Sequence, residues 1–215
     1  MRRAWGRVGP IAGIFKNGGT RRLRYVGAME TIAPFLTGQF LLAMPGIGDP
    51  MFERSVIAMC SHDAEGALGI EIGSVVEGLS FHDVLKQLDI DPGVAPNRPM
   101  HLGGPVERQR GFVLHSREWD GADTIDVAGR WKLSGTTDIL RAIAGGTGPR
   151  QWLAALGYAG WGEGQLEGEL TRHGWFNVRG TEALLYETPA ERRWTEGFAS
   201  VGIDPRMLAS GAGTA

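Results

Sequence analysis

The chain has 215 residues, of which 42% are apolar, with 22 basic and 24 acidic side chains. A chain of this length can bury a core without disulfides, and its single cysteine, Cys60, cannot form an intrachain bridge, which favours a reducing, cytoplasmic compartment. No apolar run approaches the roughly 18–20 residues of a membrane-spanning helix, so the sequence predicts no membrane insertion.

The charge is unevenly distributed. Residues 1–28 hold seven basic and no acidic side chains, whereas the rest of the chain holds 15 basic and 24 acidic ones. We interpret residues 1–28 as a disordered basic extension, or as a non-native one if translation starts at Met29; a nucleic-acid or membrane arm is the alternative. Residues 29–208 are predicted to form a single domain whose acidic charge opposes direct nucleic-acid binding, and 209–215 a flexible tail.

The first half of the chain is rich in predicted strands. The residues around the turn at 63–66 indicate a β-hairpin, and Ser80 with Asp83 predicts a helix N-terminus. Further hairpin strands are expected around residues 103–105 and 128–129. The predicted strands are 39–44, 54–61, 67–72, 100–102, 111–115, 124–127 and 130–133.

The second half is mixed. A helix capped by Thr136 or Thr137 is predicted to end at Gly145, and residues 151–156 form a short apolar segment. Residues 157–164 are interpreted as a glycine loop that leads into a helix over 165–172. A strand at 184–186 and a helix over 189–201 complete an α+β pattern.

Three blocks of sequence together resemble the AlgH/YqgE family of bacterial proteins, over residues 38–208. The blocks are FLLAMP at 40–45 with Asp49-Pro50 and FERSV at 52–56; GGPV at 103–106 with RGFVLH at 110–115; and LGYAGWG at 156–162 with GQLE at 164–167 and Glu169.

The resemblance implies an α+β fold with a bifurcated mixed β-sheet that includes a small closed barrel, surrounded by helices. It implies a label of transcriptional regulator without an accepted activity, ligand or DNA-binding motif. The chain departs from the family in one place: Gly73, Ser74 and Val75 stand where an Asn, a basic residue and a Pro are usual.

The most reactive-looking cluster is Cys60 with His62. Alternation along a strand would place both side chains on one face, where the imidazole could activate the thiol. The alternative is a buried structural cysteine beside a strand-end histidine, and we prefer it because no oriented base or oxyanion site accompanies the pair. The five histidines lack metal-ligand spacing, so the sequence predicts neither a metal site nor a cofactor.

The glycine segment offers a second candidate, built from Gly160, Gly162, Gly164 and Trp161. Its spacing does not match a dinucleotide fingerprint, and Glu163 would repel a phosphate. A structural turn is the simpler interpretation, and a ligand loop would favour small or cationic ligands.

Asp49 and Arg54 form the third candidate, at the entrance to a strand. Asp49 is expected to close a turn, and Arg54 either pairs with a carboxylate or anchors an anionic ligand.

These patterns favour a regulatory protein that acts through a protein partner or a small ligand, rather than an enzyme or a direct reader of DNA. The alternative is an enzyme or small-ligand binder whose site combines Cys60, His62, Arg54 and the segment 157–164.

Overall fold

The computed structural model describes residues 35–209, and the predictions for 1–28 and for residues beyond 209 lie outside this range. Its strands are β1 (Gln39–Ala43), β2 (Val56–Asp63), β3 (Gly66–Ser80), β4 (Pro99–Gly103), β5 (Val106–His115), β6 (Ile125–Val127), β7 (Trp131–Ser134), β8 (Trp152–Gly162) and β9 (Trp175–Arg179). Its α-helices are α1 (Phe81–Gln87), α2 (Thr137–Ala144), α3 (Gln165–Thr171), α4 (Ala190–Ala199) and α5 (Pro205–Ala209). A 3-10 turn covers Pro50–Phe52 and a π-helical turn covers Ala183–Glu187.

The nine strands form one sheet in the order β6-β7-β5-β8-β4-β3-β2-β1-β9. Residues 66–69 of β3 pair directly with residues 159–162 of β8, whereas further along the two strands separate and β4 lies between them. The sheet is therefore bifurcated, as expected. Within residues 35–209 no pairing joins β6 to β9, so the predicted closed barrel is not confirmed and the sheet is an open half-barrel.

Alternation along the strands sends side chains to two buried faces. On β1, Phe40 and Leu42 join the largest core cluster, whereas Leu41 and Ala43 pack towards α3. Phe40 stacks on Trp131 of β7 at a ring distance of 5.4 Å, across the inside of the curled sheet. The outer face is covered by α1 and α2 at one end and by α3 at the other. Strands buried on both faces explain why several of them read as continuous apolar runs.

The predicted glycine loop is wrong, because β8 runs through it to Gly162. Glycines allow the backbones of neighbouring segments to approach closely. A Cβ on Gly103 would lie 2.3 Å from the carbonyl oxygen of Gly157, and one on Gly104 would lie 2.1 Å from the carbonyl carbon of Tyr158. The turn between β4 and β5 can therefore rest against β8.

Two elements near the C-terminus also differ from the predictions. The segment predicted as a strand at 184–186 is the π-helical turn, and β9 was not predicted. Residue Ala209, assigned to the tail, is the last residue of α5. The capping box of Ser80 and Asp83 and the hairpins at 63–66 and 128–129 are confirmed. Among residues 35–209, no helix combines the length and the apolar character that crossing a membrane requires.

Candidate functional site

The residues singled out in the sequence do not meet at one site. Cys60 lies in the main core, 3% exposed, and its thiol donates to the carbonyl oxygen of Ala58. Burial raises the pKa of this thiol to about 12, which suppresses the nucleophilic thiolate. The pairing of β2 with β3 shifts register between Met59 and Ser61, so a β-bulge interrupts the alternation.

His62 consequently lies on the other side of the sheet from Cys60. Its Nδ1 accepts a hydrogen bond from the backbone N–H of Leu36 at 3.0 Å, which places the ring proton on Nε2. Nε2 then donates to the carboxylate of Glu167 on α3 at 2.8 Å. The expectation that Cys60 and His62 share a face is wrong, and the pair cannot form a nucleophile and base.

The other candidates lie in separate places. Arg54 is exposed, has a φ of 56°, and lies 5.5 Å above the ring of Trp194. Asp49 accepts a hydrogen bond from the backbone of Met51 and lines a shallow groove beside Trp175.

Gly160 and Trp161 lie on β8 and line a groove of about 400 Å³ with Tyr158, Asp63 and Glu65. Gly162 ends β8, and Gly164 is the N-cap of α3 with a φ of 66°. The indole of Trp161 donates to Glu169, whose same oxygen also accepts from the indole of Trp175, so Trp161 serves to hold α3 against the sheet.

Four groups with shifted pKa values, Arg98, His101, Tyr186 and Arg193, instead line a cavity of about 390 Å³ beside the start of α4, which we call the α4 cavity. It is lined by Val75, Arg98, Pro99, His101, Trp152, Leu153, the segment 185–191 and Arg193. β4 and β8 form one wall, and the π-helical turn and α4 form the other. A π-helical turn is a rare element that is frequently found at functional sites.

Arg193 is the most deeply buried basic side chain in this wall, at 5% exposure. Its Nε and Nη2 donate to the carbonyl oxygens of Leu184 and Leu185 at 3.1 and 2.9 Å, and its Nη1 donates to the carbonyl oxygen of Ile72. Burial lowers the pKa of this guanidinium to about 10, so it remains charged at neutral pH. Arg193 thus fixes the π-helical turn to β3.

Glu71 lies behind this wall on β3, at 2% exposure. Its carboxylate accepts the backbone N–H groups of Gly73 at 2.7 Å and Ser74 at 3.2 Å. Burial raises its pKa to about 7, against the lowering effect of these amides and of the charge of Arg193. The irregular part of β3 at Gly73 and Ser74, where the chain departs from the family pattern and the pairing with β4 shifts register, is therefore built around a carboxyl group with a pKa of about 7.

His101 on β4 completes the cluster. Its Nδ1 lies 3.5 Å from Nη1 of Arg193, an arrangement in which a neutral imidazole can accept a hydrogen bond from the guanidinium. Burial, and then the charge of Arg193, lower its pKa to about 3, so the ring is neutral under ordinary conditions. Glu71, His101 and Arg193 thus form a buried electrostatic cluster: His101 lies beside the charged Arg193, and the charge of Arg193 also acts on the carboxyl group of Glu71.

Sequence reasoning missed this cluster, although one signal was available. Glu71 is a lone acid within the apolar run at 67–72, and Arg193 falls on the same buried side of α4 as Gly197. A charged residue at a buried position needs a partner, but the partners here are 122 positions apart in the chain. Among residues 35–209 no group of three or more His, Cys, Asp or Glu side chains is arranged to hold a metal ion.

Comparisons with known proteins agree with this fold. A family model described as AlgH-like matches residues 40–206. A UPF0301 protein of Rhizorhabdus wittichii is 57% identical over 180 residues, which cover 84% of this chain and 97% of that protein. A UPF0301 protein of Sphingopyxis alaskensis is 55% identical, with 87% of this chain and 100% of that protein covered.

Two solved structures are similar as well. The solution structure of the AlgH protein from Pseudomonas aeruginosa matches with a TM-score of 0.68 and 36% identity, over 87% of this chain and 100% of that one. The crystal structure of protein DIP2367 from Corynebacterium diphtheriae matches with a TM-score of 0.66 at 20% identity, over 84% and 94% of the two chains, and supports the fold alone. From the family model, the relatives and the AlgH structure together, the chain belongs to the AlgH-like family, the group of UPF0301 proteins.

Proposed function

We propose that this protein is a ligand-responsive regulatory protein, which binds a small molecule in the α4 cavity and passes the change to a protein partner. The observation that carries the proposal is the convergence of Arg98, His101 and Arg193 on one cavity, with the buried Glu71 behind its wall. Its volume of about 390 Å³ falls in the range of small-molecule sites. The regulatory part of the proposal rests on the label of transcriptional regulator that the resemblance to the AlgH/YqgE family implies.

Catalysis finds less support in the same geometry. The thiol of Cys60 is buried in the core, and the imidazole of His62 is committed to Leu36 and Glu167. Direct reading of DNA finds less support too, because residues 35–209 carry 23 acidic and 15 basic side chains. Such a net negative charge opposes contacts with phosphates.

The proposal is tested by a thermal-shift screen of the full chain against a panel of small acids, amines, sugars and nucleotides. Val75 lines the cavity, so Val75→Trp fills it, and Val94→Trp, at a site 73% exposed and outside the cavity, is the matched control. We expect a ligand that raises Tm for the parent and for Val94→Trp but not for Val75→Trp.

Two outcomes would contradict this function. One is a panel in which no compound raises Tm in a manner that Val75→Trp abolishes. The other is chemical conversion of the bound compound, monitored by NMR of the mixture. Such conversion would show that the protein is an enzyme instead.

A further inference from the structure

Among the side chains that line the α4 cavity, the positive ones are half-buried or buried, whereas the negative ones, Glu187 and Glu191, are exposed. Arg98 is half-buried with its guanidinium 4.6 Å above the ring of Trp152, and Nη1 donates to the carbonyl oxygen of Trp152 at 2.6 Å. A guanidinium has five N–H donors, and this is the one hydrogen bond found for the guanidinium of Arg98 among residues 35–209. Its remaining donors can serve a ligand.

Two further features add positive potential. Arg193 lies in the same wall, and the first residues of α4, a helix of 10 residues whose N-cap is Pro189, line the cavity. Among residues 35–209 no side chain caps this helix end, and although the N–H of Arg192 donates to the carbonyl oxygen of Pro189, the N–H groups of Ala190 and Glu191 are available. Glu187 and Glu191 also line the cavity but are exposed, so water screens their charge more strongly than that of the buried guanidinium.

The rest of the wall is apolar. Trp152, Leu153 and Leu185 are buried side chains that offer a surface for a ring or an aliphatic body. Pockets of this composition orient a ligand with a few polar groups and hold it by its apolar part.

We propose, building on the function above, that the α4 cavity takes an anionic ligand in which a carboxylate or phosphate group is attached to an apolar body. Arg98 binds the anionic group, because its planar fork matches two oxygen atoms and its stacking on Trp152 fixes its direction. Arg193 acts through charge from behind, since its donors are engaged with backbone carbonyl groups.

The test uses three probes of similar size, which are benzoate, phenyl phosphate and the uncharged benzyl alcohol. Binding to the full chain is measured by titration calorimetry at low salt and pH 8. We expect the anions to bind at least about 10-fold more tightly than benzyl alcohol, the difference made by charge-assisted hydrogen bonds. Whichever of benzoate and phenyl phosphate binds more tightly identifies the anionic group.

Arg98→Met keeps the apolar stem and removes the donors, and Arg141→Met, at an exposed position on α2 outside the cavity, is the control. We expect Arg98→Met to weaken the better anion at least about 10-fold and Arg141→Met to leave it unchanged. Arg98→Lys, which keeps the charge and loses the fork, should fall between the parent and Arg98→Met, and it serves as the readout if the methionine variant does not fold.

Equal binding of benzyl alcohol, or unchanged anion binding in Arg98→Met, overturns the ligand class but leaves a ligand cavity in place. The same holds if none of the three probes binds while the screen finds a compound that depends on Val75. Failure of every compound in both experiments refutes the cavity function itself.

Discussion

Glu71→Gln is the substitution that tests most directly whether a buried carboxyl group titrates near neutral pH. Glutamine keeps the size of the side chain and an oxygen that can accept from Gly73 and Ser74, and it removes the ionisation. Burial raises the folded-state pKa of Glu71 to about 7 from its ordinary value of 4.5. The folded protein therefore holds this proton more tightly than the unfolded chain.

The sign of the effect follows from this difference. Between about pH 4.5 and 7 the folded state keeps the proton and the unfolded state has lost it, so the free energy of unfolding falls as pH rises. One proton corresponds to about 1.4 kcal/mol per pH unit, which over this window amounts to about 3 kcal/mol. Glu71→Gln removes this contribution, so the parent should lose that amount relative to the variant.

The assay is urea unfolding followed by tryptophan fluorescence at pH 4.5, 5.5, 6.5 and 7.5 for the parent and Glu71→Gln. Glu77→Gln, a change at an exposed carboxylate of the same strand, is the control and should track the parent at every pH. A difference between parent and Glu71→Gln that stays constant, or that grows in favour of the parent as pH rises, would refute the assignment.

Three further predictions concern other buried groups. For His101→Gln the free energy of unfolding should depend on pH with the opposite sign. As pH falls from 6.5 towards 3, the parent loses stability relative to the variant, because only the unfolded histidine takes up a proton. Urea unfolding over this pH range measures the difference. Alkylation of Cys60 by iodoacetamide at pH 8 should be about a thousandfold slower in the native chain than in urea, since the thiol pKa is about 12; a comparable native rate would contradict its burial. Glu169→Ala leaves the indoles of Trp161 and Trp175 without their acceptor and should lower the free energy of unfolding by about 1–3 kcal/mol, seen as a lower urea midpoint.

The parts of the fold that were predictable depend on neighbours in the chain. The capping box places Ser80 and Asp83 three residues apart, and the hairpin at 63–66 is closed by a short turn whose Asp63 accepts from the backbone of Glu65. Such contacts join residues that are only a few positions apart, so residue type and spacing are sufficient to recognise them.

The parts that were missed depend on contacts across the sheet. Glycine at 157 looks like a loop signal, but its role is set by Gly104, whose carbonyl oxygen a Cβ at 157 would meet at 2.5 Å. The bulge beside Cys60 is likewise visible only in the pairing of β2 with β3, and it reverses the face on which His62 lies. The closed barrel was expected from the family resemblance, and the pairing of the described strands leaves it open.

The electrostatic interaction between Glu71 and Arg193 can be separated from the hydrogen bonds of the two side chains by a double-mutant cycle with Glu71→Gln and Arg193→Met. Arg193→Met alone should lower the free energy of unfolding by about 3–5 kcal/mol, because three carbonyl oxygens lose a donor and a buried charge loses its partner. Part of that loss depends on whether Glu71 is ionised.

At pH 8 Glu71 carries its charge, and we expect a coupling free energy of about 1–3 kcal/mol between the two positions. At pH 5 the folded carboxyl group is protonated, so the coupling should fall towards zero while the hydrogen-bond loss of Arg193→Met remains. A coupling of the same size at both pH values would mean that the two positions are not coupled through charge. The charge of Glu71 would then not contribute to the electrostatic environment of Arg193 in the wall of the α4 cavity.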